Sequence, residues 1–443
     1  MDAFITRRKR KSSPEPALQT NRTDEDDDGE DSTDVKLAML ASLHPEFDQE
    51  TLLDLLLAHD GSVQATSQAL SARLPPRKSV AGTVAQTSLR SFTLEHAGNS
   101  PAPGAKRTKL LSRKGATLHL YDPVDIAEHT PCTVLLNFLP ADEANDLLVE
   151  LLEESKTFEK ITFKLFDNVV SSPHTSSFYV ESYDERDQQM HEYVYNGARL
   201  TDVRKITPML EKVKTRVGEA VNREIAERIR TRHGGKKLKY QSPKPWCPNA
   251  AFVNCYNGPQ ESVGWHSDQL TYLGPRAVIG SLSLGVTREF RVRRVLPKDG
   301  DNDDNTNNNT VSGADAEGQI AIHLPHNSLL VMHAEMQEEW KHSIAPAAAI
   351  DPHPVAGRRR INITYRDYRE EFHPRHTPRC GCDVACVLRV VQRKRENWGR
   401  YFWMCHAGNV PGKAGCSFFQ WAEFDEDGNP RFPRDSSKGS KSK

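Results

Sequence analysis

Long apolar runs are missing from this chain. None reaches the about 18 residues of a membrane-spanning helix, so neither a transmembrane segment nor a membrane partner is expected. The amino terminus, MDAFITRRKRKSS, lacks the apolar core of an export signal, so secretion is not expected either. Aromatic residues are few, 7% of 443, and hydrophobic residues of all kinds make up 37%, with a mean hydropathy of −0.65. A chain this polar does not fold as one globule, so long solvated segments are expected between roughly two to four domains. Charge of one sign is missing too: 59 basic and 60 acidic side chains leave −1. Cysteine is sparse except in one place, where five of the eight fall between 380 and 416. Without an export signal such a cluster points to zinc rather than disulfides, and to a reducing compartment.

The chain divides by composition. Residues 1–33 read as a disordered tail in which Arg7-Arg8-Lys9-Arg10-Lys11 has the form of a nuclear import signal, followed by an acidic run from Asp24 to Asp31. A nuclear protein is therefore expected. Residues 34–74 carry helical spacing: Val35 to Leu43, then Glu50 to Ala58 with Leu52, Leu53, Leu55, Leu56 and Leu57, then a third helix capped by Ser62 and ending near Leu74. Residues 75–115, rich in Pro, Ser, Lys and Arg, read as a linker. Residues 116–372 form a large mixed domain. Helices are expected over Ala141–Glu154 and from about Ile206 to Ile229. Short strands are expected over 250–256, 277–284, 289–295, 319–324, 328–333, 339–344 and 360–368, which indicates a sandwich or jelly roll. The run DGDNDDNTNNN at 299–309 is an exposed insertion between two of these strands. Residues 378–424 hold the cysteine cluster, and 430–443 are a basic, disordered tail.

His266-Ser267-Asp268 places an imidazole and a carboxylate two residues apart, on one face if the segment is a strand. His342 lies on a later strand, and Arg360-Ile361-Asn362-Ile363-Thr364-Tyr365-Arg366 on the next. Two histidines and one carboxylate on a jelly roll make a facial triad with open positions, the arrangement of non-haem Fe(II) oxygenases. A co-substrate with two carboxylates needs an arginine, and Arg360 and Arg366 alternate with Asn362 and Thr364 on one strand face. These elements, with Asn254-Cys255-Tyr256 before them, resemble the AlkB family of Fe(II)/2-oxoglutarate dioxygenases, nearest its nuclear DNA-repair members. The resemblance implies that His266, Asp268 and His342 bind iron. It implies that Asn254, Tyr256, Arg360, Asn362, Thr364 and Arg366 hold 2-oxoglutarate, with Arg360 or Arg366 on its distal carboxylate. It also implies a nucleotide lid, in which Phe166 fills the gap left by a flipped base and Tyr193 and Tyr195 stack on the target. Flipping costs a few kcal/mol, which an inserted aromatic and a stacking pocket offset.

Cys380, Cys382, Cys405 and Cys416 suit a tetrahedral zinc site, with Cys386 and His406 as spare ligands that could replace Cys380. Asn397-Trp398-Gly399-Arg400-Tyr401-Phe402-Trp403-Met404-Cys405 and Ser417-Phe418-Phe419-Gln420-Trp421 resemble the GRF zinc-finger family, which implies binding to single-stranded nucleic acid through basic and aromatic residues. Leu43-His44-Pro45, the leucine-rich middle helix and Ala69-Leu70 resemble the CUE family of ubiquitin-binding three-helix modules. Met1 to Arg7 resembles a sliding-clamp motif.

The expectation is an oxidative demethylase of alkylated DNA using Fe(II), 2-oxoglutarate and a structural zinc. The same chemistry on RNA, and a ubiquitin-reading nucleic-acid scaffold, are the rivals. The finger, joined through residues 369–379, is expected to add affinity rather than chemistry, so a chain ending near Arg375 is expected to keep turnover on short strands.

Overall fold

The computed structural model describes residue 40 and residues 49–59, 62–73, 116–165, 168–195, 199–297, 318–392, 394–410 and 413–431. The clamp-like segment, the basic run, most of the first expected helix, all of the linker, Phe166, the loop at 299–309 and most of the final tail lie outside the described residues. The chain divides into two compact units, residues 1–106 and 107–443.

The first unit contains helices α1 (Gln49–Ala58) and α2 (Val63–Arg73). Leu52, Leu55 and Leu56 of α1 are buried with Leu70 of α2 and Leu40 in one small core. Ser62 starts α2 by accepting the Ala65 N–H, and the buried Thr66 hydroxyl donates to the Ser62 carbonyl at 2.7 Å.

The second unit opens with β1 (Thr117–Leu120), α3 (Pro123–His129), β2 (Cys132–Leu136) and α4 (Ala141–Glu154). The hairpin β3 (Thr162–Leu165) and β4 (Asn168–Ser171) follows, then β5 (Thr175–Val180), α5 (Tyr183–Glu192), β6 (Val203–Lys205) and α6 (Pro208–Arg232). Next come β7 (Ala250–Asn257), β8 (Val263–His266), β9 (Ile279–Gly285), β10 (Arg288–Arg294), β11 (Gln319–Leu324) and β12 (Ser328–Met332). A single turn of helix, α7 (Met336–Glu339), leads into β13 (Trp340–Ile344) and β14 (Arg359–Arg366). These strands build a seven-stranded sheet, β2-β12-β9-β14-β7-β5-β6, and a five-stranded sheet, β1-β11-β10-β13-β8. The result is a jelly-roll-like fold with flanking helices.

Helix α4 turns Leu147, Leu148 and Leu151 to the larger sheet, and α6 turns Leu210, Val213, Val217 and Val221 the same way. Ile361, Ile363 and Tyr365 of β14 meet this helical layer. The period of two then sends Arg360, Asn362, Thr364 and Arg366 to the opposite face, into the space between the sheets. The sequence reading did not anticipate β2, β5 or β8, which are short and lack a clean apolar alternation. The acidic stretch near 180–192 is helix α5, begun by a capping box between Ser182 and Glu185. Among the described residues no helix is long and apolar enough to cross a membrane.

Strands β15 (Val387–Val390), β16 (Tyr401–Met404) and β17 (Phe419–Trp421) form the small sheet of the cysteine cluster. It is not a module on a tether, as the sequence suggested. Leu388, Tyr401, Trp403 and Phe424 belong to the same buried cluster as Leu270, Leu273 and Met336 of the large domain. The basic loop after α6 docks here as well. Lys237 pairs with Asp427 at 3.0 Å, and the Tyr240 N–H donates to the Glu426 carbonyl at 3.1 Å. Gly428 has φ +75°, and a Cβ there would lie 2.1 Å from the Tyr240 carbonyl oxygen, so only glycine fits this approach.

Candidate active site

Between the sheets lies a cavity of about 290 Å³. Its smaller-sheet wall carries His266, the last residue of β8, directly opposite His342 of β13 in the strand register. Asp268 follows in a loop, since β8 stops at His266; the loop, not a strand face, returns its carboxylate to the histidines. Asp268 Oδ1 lies 3.5 Å from His342 Nε2 and 3.8 Å from His266 Nε2, and one ligand atom from each of the three falls within 4.8 Å of the others. The other oxygen, Oδ2, accepts two bonds from Arg366, from Nε at 2.9 Å and from Nη2 at 2.7 Å. Burial alone would raise the Asp268 carboxyl. The Arg366 guanidinium and His342 outweigh it and hold the group well below the usual carboxylate range. The Gly264 carbonyl can only accept, so His266 Nδ1 donates to it at 2.8 Å and leaves the Nε2 lone pair facing the cavity. His342 packs face to face with Phe290, ring centroids 5.3 Å apart. Two imidazoles and a carboxylate oxygen, the carboxylate held by a second-layer arginine, form a donor set that fits a first-row divalent metal.

The larger-sheet wall supplies the second feature. Arg360 is 1% exposed, lies over the Tyr256 ring at 5.3 Å, and donates from Nη2 to Ser283 Oγ at 2.8 Å. Its Nε and Nη1 are buried without a partner. Burial lowers this guanidinium to about 10. A buried arginine with open donors at the floor of a cavity fits the carboxylate of a small dicarboxylic acid. Arg366 cannot serve equally, because its fork is taken by Asp268. Asn254, Tyr256, Asn362 and Thr364 line the same cavity. Asn362 donates to Ser281 Oγ at 2.8 Å and Asn254 Oδ1 meets His174 Nε2 at 3.1 Å. His174, stacked on Tyr256 at 4.6 Å, and Ser281 are lining residues that sequence reasoning missed, as it missed Ser283, which stands behind Arg360. None belongs to a spaced motif.

Tyr193 and Tyr195 do not line this cavity. Tyr193 is 7% exposed and packs against Tyr272, Tyr368 and His373. The Tyr195 hydroxyl donates to Gln189 Oε1 at 2.8 Å and meets the Tyr368 hydroxyl at 3.2 Å. Phe178 links this ring cluster to Phe252, which does line the cavity.

A model for the 2OG-Fe(II) oxygenase superfamily matches residues 131–366, more than half of the 443. The chain belongs to this superfamily. Oxygenases of this family use Fe(II) and 2-oxoglutarate, and the two cavity walls suit that pair. A GRF zinc finger model matches residues 378–425. Alpha-ketoglutarate-dependent dioxygenase alkB homolog 3 of Bos taurus is 36% identical over 118 residues, covering 27% of this chain and 36% of that protein. DNA oxidative demethylase ALKBH2 of Arabidopsis thaliana is 33% identical over 126 residues, covering 27% and 37%. The match thus spans little more than a third of these curated relatives. A solved structure of OsALKBH1 aligns with a TM-score of 0.35 and 18% identity over 54% of this chain and 98% of that one. That likeness is too slight to carry the fold assignment, which rests on the sheets themselves.

In the oxygenase's GRF finger, the sulfur atoms of Cys380, Cys382, Cys405 and Cys416 lie within 4.8 Å of one another, with Cys380 and Cys405 3.5 Å apart. Four thiolates around zinc lie about 3.8 Å apart, so the set fits. Neither Cys386 nor His406 belongs to the group. Of the finger's aromatics, Tyr401 and Trp403 are buried against the oxygenase, while Trp398 and Phe419 are exposed. Arg400 stacks on Trp421 at 3.8 Å beside a cavity of about 440 Å³ that Lys239 and Tyr240 of the oxygenase also line.

Proposed function

We propose that the protein is an oxidative demethylase that removes N-linked alkyl groups from nucleic-acid bases, with alkylated DNA as its substrate. One observation carries the reading: a single cavity has a two-histidine, one-carboxylate cluster on one wall and a buried arginine with open donors on the other. His266, Asp268 and His342 would hold Fe(II), and Arg360 the distal carboxylate of 2-oxoglutarate. Bound there, the pair would supply oxygen activation: one atom of O2 goes to the N-methyl carbon, which leaves as formaldehyde with the base nitrogen regaining a proton, and the other goes to 2-oxoglutarate, which loses CO2 to become succinate. Arg366 keeps Asp268 ionised and aims its free oxygen at the metal position. Ser283 and Tyr256 orient the Arg360 fork. Phe290 and Ile344 on the smaller sheet and Met332 on the larger add apolar lining to the cavity and limit stray water. The alkB homolog 3 and ALKBH2 relatives support the reaction class. The test is release of formaldehyde and succinate from a panel of N-methylated DNA and RNA oligonucleotides. Release from DNA, lost in His266→Ala, is the expected result. Release from RNA alone would move the substrate assignment, and 2-oxoglutarate turnover without formaldehyde from any strand would overturn the reading.

The finger would hold single-stranded substrate along Lys239, Arg400, Trp398 and Trp421, where bases can stack and phosphates find cations. The helices of residues 34–74 would form a CUE-like ubiquitin contact, supported by their leucine core. Nuclear import through the basic run from Arg7 to Lys11, and a sliding-clamp contact through Met1 to Arg7, complete the proposal.

A further inference from the structure

Asp268 stands in a loop, so something must fix that loop's backbone. Its N–H donates to the side-chain oxygen of Gln337 at 2.7 Å. Gln337 is 1% exposed and sits on α7, immediately before the strand that carries His342. Helix α7 is one turn long and has no side-chain cap of its own. Its position must therefore come from its neighbours. On the oxygenase side, Arg228 grips Glu335 and the Arg276 N–H donates to Glu338. On the other side the partners all belong to the zinc finger. Gln392 Nε2 donates to the carbonyls of Gln337 and Glu338, at 3.2 and 3.1 Å, and the Tyr401 hydroxyl donates to the buried Glu338 Oε1 at 2.9 Å. A second bridge reaches the loop itself. The Leu388 N–H donates at 3.2 Å to Thr271 Oγ1, three residues after Asp268.

We propose that the zinc finger is a structural arm of the iron site, acting through Gln337 as a positioning residue. The finger holds α7, Gln337 on α7 holds the Asp268 backbone, and the carboxylate is thereby kept against His266 and His342. Residues behind metal ligands commonly change metal affinity by about ten- to a hundredfold when altered. This chain places part of that supporting layer in a separately metallated domain. The inference rests on the assignment of the triad to iron.

The test uses the full chain and Mn(II) as an air-stable probe of the iron position, its binding followed by loss of the free-ion electron paramagnetic resonance signal. Gln337→Met keeps the volume and removes the acceptor, and should weaken Mn(II) binding about tenfold. Gln392→Met leaves every cysteine in place. It should weaken Mn(II) binding about threefold while zinc content stays at one per chain, which separates positioning from unfolding of the finger. The double variant should be no weaker than Gln337→Met alone, because both act along one route. Unchanged Mn(II) affinity in Gln337→Met, or effects that multiply in the double variant, would overturn the proposal. His266→Ala serves as the control. If it too leaves Mn(II) binding unchanged, the triad assignment has failed rather than the coupling.

Discussion

An arginine withdrawn from water gives up most of its hydration, and Arg360 regains one side-chain hydrogen bond, to Ser283. A bound carboxylate would supply the rest. Arg360→Lys keeps the charge but loses the fork, and the loss of a buried charged contact costs about 2 kcal/mol or more, near a thirtyfold rise in the KM for 2-oxoglutarate. Arg366→Lys should instead weaken the metal site, since its fork holds Asp268; steady-state kinetics with varied 2-oxoglutarate and varied iron separate the two. Buried histidines give a pH signature. Burial lowers His174 to about 4 and His333 to about 3, from 6.5 in an unfolded chain. Below 6.5 the unfolded state takes up these protons first. Stability is therefore flat above that pH and falls on acidification toward 4, by up to about 1.4 kcal/mol per pH unit for each group. Melting curves between pH 7 and 5 should show the fall, and His333→Gln should make it shallower. At this scale the triad and the arginine strand were legible because spacing encodes them. His174, Ser283 and Gln337 were not, because each acts alone and only the fold brings it to the site.

Helix α4 could be read to the residue from its leucine stripe, and β11 from its alternation. Strands β2, β5 and β8 escaped because neighbours, not their own pattern, decide their pairing. The finger's docking was also invisible. Its aromatics read equally as base-stacking platforms or as core, and Tyr401 and Trp403 proved to be core. A chain ending near Arg375 would strip Leu270, Leu273 and Met336 of their cover. It should melt lower and lose turnover even on short strands, against the expectation drawn from the sequence. Gly428→Val tests the same contact with one side chain. The Tyr240 carbonyl leaves no room for it, so the melting temperature should fall by several degrees with zinc still bound.

At the scale of the whole molecule, residues 1–106 have their own small core and share none of the catalytic residues. Removing them should leave formaldehyde release from short oligonucleotides unchanged, and under the proposed CUE-like contact should abolish retention on immobilised ubiquitin. Unaltered retention would assign that contact elsewhere. Raising salt should weaken binding of long strands more than short ones, because more phosphates are then engaged.

Strand β1 pairs with β11 some two hundred residues later, and the cluster that holds Leu120 closes only with Tyr401, Trp403 and Phe424. On the ribosome, at about 5–20 residues per second, the early strands would wait on the order of tens of seconds for their last partners. For that interval the nascent chain exposes strand edges and apolar surface that chaperones must cover. Supply of zinc to Cys380, Cys382, Cys405 and Cys416, rather than supply of iron, would then set when the newly made oxygenase is finished.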